Sequence, residues 1–206
     1  MNGPYGDEKL TDSWIAALIK AQAVMDSGVR ISLRQESLLR GQDPACSPGC
    51  DGCCRGQRVQ ATDVELAGAL WQLGNVAPED AQTVRQRLSG GGADACPFLL
   101  RGQCAVYPMR FLSCRQLVVF GRACAAGEDP ARTRRQDALT LLAGHAMRAY
   151  SLLLPHLGVV DAPADPWDFQ ETLAGLMRPV CGLGVQDPQA FARALNLRGA
   201  RARQAA

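Results

Sequence analysis

Seven of the nine cysteines in this chain of 206 residues fall between positions 46 and 114, in an ordered pattern. Cys46-x3-Cys50-x2-Cys53-Cys54 comes first, Cys96-Pro97-Phe98-Leu99 leads to Cys104, and Tyr107-x2-Arg110-x3-Cys114-Arg115 closes the set. Thiolate is the soft, anionic ligand of zinc and of iron–sulfur clusters, and so many thiols at short spacings are hard to explain by packing. A lone cysteine is ordinarily a small buried hydrophobe, which is the reading for Cys124 and Cys181. The odd count fits poorly with a complete disulfide framework. The opening residues lack the basic and apolar regions of an export signal, and no run approaches the ~18 apolar residues of a membrane span. The expectation is a cytoplasmic protein, whose thiols stay reduced and open to metals.

The spacing has a physical logic. Cys50-x2-Cys53 lets two thiolates turn back onto one metal, and Gly49 and Gly52 relieve the backbone where it folds around an ion. Cys53 and Cys54 are neighbours, so their side chains point apart in extended backbone and could serve different metals, or one of them could stand behind the ligands without touching the metal. Cys96 and Cys104 flank a hairpin pattern, and Cys114 follows within a turn or so. Seven thiolates exceed the four of one tetrahedral ion or one 4Fe–4S cluster. Either two centres form or about three of the seven are spare. Four thiolates around Zn²⁺ or an oxidised 4Fe–4S core leave a net charge of about −2. Arg110 and Arg115 bracket Cys114 and are expected beside the sulfurs, compensating charge and donating hydrogen bonds. The alternative is that they pair with surface carboxylates.

Periodicity supplies the scaffold. Trp14, Leu18, Ala21 and Met25 mark one face of a helix from Thr11 to about Gly28, with a second helical stretch over Ile31–Arg40. Gly41–Gly56 reads as the cysteine loop. Thr62-x-x-Glu65 is a capping-box pattern opening a helix to Leu73, and Pro78–Leu88 reads as a helix with Pro at its first position. After the Ser89–Ala93 break, Phe98-Leu99-Leu100 and Cys104-Ala105-Val106-Tyr107 flank Arg101-Gly102-Gln103 as a hairpin, and Gln116–Phe120 suggests a further strand. Asp129-Pro130, Asp165-Pro166 and Asp187-Pro188 each read as an N-cap followed by the first helical residue, opening helices of roughly 26, 13 and 10 residues. The expected fold is mainly α with a small irregular β-hairpin element, the cysteine-rich loops packed on a helical core. Residues 1–206 read as a single domain, with 46–120 the metal-binding region and 129–198 the C-terminal helical part.

Other chemistries find little support. A formal charge of +2 predicts no strong attraction to nucleic acid, and the basic tail of Arg193, Arg198, Arg201 and Arg203 reads as a solvated helix end. His145 and His156 are the only histidines; His145 could reach a metal but reads first as a core or rim residue. No Ser-His-Asp order, P-loop or dinucleotide fingerprint is present. No membrane partner is expected, and oligomeric state is not legible.

The constellation resembles the CxxCxxCC cysteine-cluster family, described as a zinc- or iron-chelating domain. The residues that carry the resemblance are Cys50-x2-Cys53-Cys54, Thr62-Asp63, Cys96-Pro97-Phe98-Leu99, Gly102-Gln103-Cys104-Ala105-Val106-Tyr107 and Arg110-Phe111-Leu112-Ser113-Cys114-Arg115. They span about residues 46 to 120. Cys46 stands one residue outside the family's first spacing, and Phe111 replaces its usual proline. A similar domain occurs in flagellin lysine N-methylases thought to carry an iron–sulfur cluster. The resemblance implies a metal site more firmly than a reaction. The first expectation is an iron–sulfur protein, most simply 4Fe–4S, with a redox or catalytic role. Its ligands would come from Cys46, Cys50, Cys53, Cys54, Cys96, Cys104 and Cys114. The alternative is a structural zinc site in an interaction or scaffold protein. The substrate, a small molecule or a protein, is not legible. Neither is the question of an oxidoreductase- or methyltransferase-type activity. Cys46-x3-Cys50-x2-Cys53 also has the spacing of radical S-adenosylmethionine enzymes, but Gly52 stands where an aromatic is usual and the β/α units of that barrel are missing.

Overall fold

Apolar residues recurring every three or four positions build the longest element, helix α1 (Trp14–Arg40), which buries Trp14, Leu18, Ala21, Met25, Gly28, Val29 and Ser32. The computed structural model describes residues 14–47, 49–55, 59–89, 95–142, 144–180, 194–196 and 198. The expectations for Cys181, Gly90–Ala93 and the Asp187-Pro188 helix lie outside them. The sequence suggested a break at Gly28, but α1 runs through it. Gly28 is a contact point rather than a cap: a Cβ there would come within 2.6 Å of the His145 side chain.

The chain continues through strand β1 (Gln60–Ala61), helices α2 (Asp63–Gln72) and α3 (Pro78–Ser89), and the hairpin of β2 (Leu99–Leu100) and β3 (Gln103–Cys104). Helix α4 (Leu112–Gln116) follows, then α5 (Pro130–Thr133), α6 (His145–Ser151), α7 (Pro166–Leu176) and strand β4 (Arg178–Pro179). The architecture is mainly α with two small antiparallel sheets among the described residues, β1–β4 and β2–β3.

The local chemistry explains the boundaries. Thr62 caps α2 by accepting from Glu65 N, and the Glu65 side chain reaches back to Thr62 N, completing the capping box. Pro78 starts α3. Asp165 accepts from Trp167 N and Asp168 N at the start of α7, with Pro166 in its first turn. The hairpin turn is Arg101-Gly102, both with positive φ (47° and 78°). Leu99 pairs with Cys104 and Leu100 with Gln103. The turn is therefore two residues, and the second arm ends sooner than its apolar pattern suggested, in a 3₁₀ turn at Tyr107–Met109.

Two expectations are overturned. The helix expected from Pro130 over roughly 26 residues is broken into pieces. After α5 come a 3₁₀ turn (Arg135–Asp137) and an extended stretch, then left-handed Gly144 (φ 88°), α6, and a 3₁₀ turn at Leu154–Leu157. The cause is tertiary. The buried Arg134 side chain bonds Glu128, Phe120 O and Asp137. Beyond it the backbone pairs with the 118–120 segment, through Phe120 N to Asp137 O (2.8 Å) and Leu139 N to Val118 O (2.8 Å). The expected strand at Gln116–Phe120 shrinks to one bridge, Val119 to Ala138, because Gln116 completes α4.

The buried residues form two clusters. The first joins α1 to α6 and α7, with Leu18, Met25, Val64, Leu112, Leu153 and Phe169 among its members. The second joins Leu66, Leu70, Val84, Cys96, Phe98, Val106, Phe111 and Val180. Helix α2 gives Val64 and Ala67 to one and Leu66, Ala69 and Leu70 to the other.

Candidate metal centre

The second cluster is where the cysteines gather. Cys96 is one of its buried members, and Cys54, Cys104 and Cys114 pack against it. They come from four stretches of chain: a 3₁₀ turn (Gly52–Arg55), the segment before β2, strand β3 and helix α4. Local bonds fix each one. Cys54 N donates to Asp51 O (2.9 Å), closing the turn, and Cys96 N donates to Cys54 O (2.8 Å), tying the first cysteine loop to the hairpin. Cys114 is held through α4, whose Leu112 N donates to the buried Glu65 carboxylate at 2.7 Å. Cys53 lies within electrostatic range of Cys114 and adjoins Cys54.

Cys46 and Cys50 lie to one side. Cys46 Sγ accepts from Val119 N at 3.4 Å, and Cys50 is exposed. Their company includes Cys124, which the sequence suggested as an isolated buried hydrophobe. It is half-buried, its Sγ accepts from Arg134 at 3.5 Å, and a Cβ on Gly52 would stand 3.0 Å from its own. Cys46, Cys53 and Cys124 are electrostatic neighbours. No local spacing announces Cys124; the contact depends on the loop from Gly121 folding back on the first cysteine loop, where Gly127 N donates to Gly52 O (3.2 Å). The structure thus gathers Cys54, Cys96, Cys104 and Cys114 on one flank and Cys46, Cys50 and Cys124 on the other, with Cys53 between.

The eight described cysteines are thiols, not disulfides. Burial pushes Cys114 up to about 12, with the nearby Cys53 and Cys104 adding to the effect. The hydrogen bond with Cys54 and burial push the Cys53 thiol up. Burial also raises Cys104, while the charge of Arg110 works against it. Among the described residues, no three Cys, His, Asp or Glu side chains stand arranged as they would around an ion.

The two arginines have different surroundings. Arg110 stacks its guanidinium over Tyr107 at 4.3 Å, acts electrostatically on Cys104, and has a buried Nε with no hydrogen-bond partner among the described residues. Arg115 is buried and turns to Asp26 (2.7 Å), Pro108 O (2.6 Å) and Arg110 O (3.0 Å). It pins the 108–110 turn to α1 and sends its N–H groups to oxygens. His145 sits at the start of α6 against Gly28, and His156 is buried with Nδ1 3.3 Å from Leu195 O. In comparisons with known proteins, no family model, curated protein or solved structure matches this chain.

Proposed function

We propose that this chain is a metal-binding protein that holds an iron–sulfur cluster through Cys53, Cys54, Cys96, Cys104 and Cys114, with a redox or catalytic role. The observation that carries the reading is the gathering of cysteines from four separated stretches against one apolar cluster. Packing alone gives no reason to collect thiols there. The resemblance to the CxxCxxCC cysteine-cluster family, resting on its motifs, points the same way.

The chemistry of these donors suits an anionic sulfur-bound group, around which the sulfurs would have to draw together. Thiolate ligands crowded into apolar surroundings need positive charge and N–H donors nearby. The buried, unpartnered Nε of Arg110 offers such a donor, and the charge of Arg110 acts on Cys104. Raised thiols do not oppose this, since a metal ligand must shed its proton and binding releases it. The cluster, when bound, would supply electron transfer or an open iron site. The chain's own part is to bring the sulfurs together, pack Cys96 against the apolar cluster, and hold Arg110 in place through Tyr107. Cys46, Cys50 and Cys124 stand outside this ligand set.

The test is metal analysis of protein purified without air and with air. Brown colour, absorption near ~400 nm, and iron with acid-labile sulfide are the expected result. A colourless protein with stoichiometric zinc would replace the cluster by a structural zinc site in a scaffold protein. A protein free of both would end the metal reading.

A further inference from the structure

An open cavity of about 530 Å³ lies beside the β2–β3 hairpin, with Cys96 in its lining and Arg55, Arg87 and Arg101 around it. That volume suits a small molecule. The three arginines come from separate elements: the turn after Cys53-Cys54, helix α3 and the hairpin turn. Arg55 is bound by Asp51 at 2.5 Å, and Arg101 by both oxygens of Asp80 at 2.5 and 2.8 Å. Arg87 donates to Leu99 O at 2.6 Å and has no carboxylate partner among the described residues. Glu79 also acts electrostatically on Arg101, so three carboxylates stand near these three cations and what is left for a ligand is their unused N–H edges. A guanidinium has five N–H donors, so those already bonded on one edge keep others for a ligand.

Arg101 adds a second observation. It is the one described non-glycine residue with positive φ, 47°. It occupies a two-residue hairpin turn in which Asn before Gly is the favoured choice. Strain of this kind collects at functional sites. Its bridge to Asp80 does not explain the strain, because Arg101 is 77% exposed and such pairs contribute little to stability.

We propose that this cavity binds a small oxyanion, the carboxylate or phosphate group of a small molecule, through Arg87 and Arg101, with Cys96 alongside. That the anion lies next to the metal centre, and so defines its substrate class, rests on the reading above; the anion site itself does not.

The experiment is calorimetric titration of inorganic phosphate and of succinate into the full chain prepared without air, as wild type, Arg87→Gln and Arg101→Asn. Iron, sulfide and zinc are measured in each. Saturable binding of at least one probe is expected, weakened about tenfold by either substitution, with metal content equal in all three. The two probes separate phosphate from carboxylate recognition. The thermal midpoint of Arg101→Asn should hold or rise, since Asn-Gly suits the turn. No saturable binding of either probe, or equal affinity in all three proteins, overturns the anion site and leaves the metal result standing. Binding that depends on both arginines in protein without metal sustains the anion site and removes only its metal neighbour.

Discussion

Glu65 is 1% exposed, and its two oxygens accept from Thr62 N (2.9 Å), Thr62 Oγ1 (2.8 Å) and Leu112 N (2.7 Å). One carboxylate thereby starts α2 and anchors the helix that bears Cys114. Burial pushes its carboxyl up, opposed by those three donors and by the charge of Arg115. Glu65→Gln puts an amide N–H where a donor now points, and should lower stability by about 2 kcal/mol, read from urea unfolding. An unchanged midpoint would mean that the α4 contact is dispensable. The capping half of this role is legible in sequence because Thr62 and Glu65 are local; the bond to Leu112 spans the chain and leaves no pattern. Glu128 offers a test by pH. Arg122, the Ala125 amide and Arg134 hold its carboxyl at about 2, against an ordinary 4.5. Because the folded value is depressed, its contribution is present above about 4.5 and is lost as pH falls toward 2. Glu128→Gln should flatten the thermal midpoint across that window. A curve parallel to the wild type would place the acid sensitivity in other groups.

Among the elements, α1 and α6 meet where Gly28 faces His145. A methyl at position 28 would stand 2.6 Å from both Cβ and Cγ of His145, and Cβ is too near its backbone to swing away. Overpacking costs about 1–3 kcal/mol, more than the roughly 1 kcal/mol a helix gains from Gly to Ala. Gly28→Ala should therefore destabilise the protein by about 1 kcal/mol, measured as a lower denaturation midpoint; a rise would show that the helices can part freely. The same site explains a misreading. Glycine in a helical pattern signals an end, yet here it permits close approach, and only the partner helix distinguishes the two. The 129–157 region teaches the converse. Ala149 and Leu153 are fully buried, as their spacing indicated, and Leu139 packs against the same core. The apolar positions were thus legible, but the backbone between Arg134 and Gly144 follows Phe120 and Val118 instead of its own period. Short, strongly signalled elements such as the capping box, the Pro78 start and the hairpin after Phe98 were read correctly because their determinants lie within a few residues, although the hairpin turn is one residue shorter than its pattern suggested.

At the scale of the molecule, two apolar clusters share α2, and the proposed metal lies against only one of them. Cys53→Ser and Cys96→Ser are expected to strip the metal and lower the unfolding midpoint, since metal binding is coupled to folding. Retained metal in both would remove these positions from the ligand set. Cys124→Ser should leave metal content intact; loss there would extend the centre to the flank of Cys46 and Cys50. Which sulfurs are neighbours was only partly legible, because motif spacing groups cysteines along the chain, whereas Cys124 joins its neighbours through a loop that returns from Gly121. A similar long return closes the other end of the cluster. Strand β4 pairs with β1, Val180 N donates to Val59 O at 3.0 Å, Val180 is fully buried among the residues around Cys96, and Arg178 bonds Asp63 at the head of α2. The sulfur-bearing half is therefore fastened by a clasp carried far downstream. A protease that nicked the chain after Met177 and let the fragment drift off would open that half to water without touching any of the seven clustered thiols.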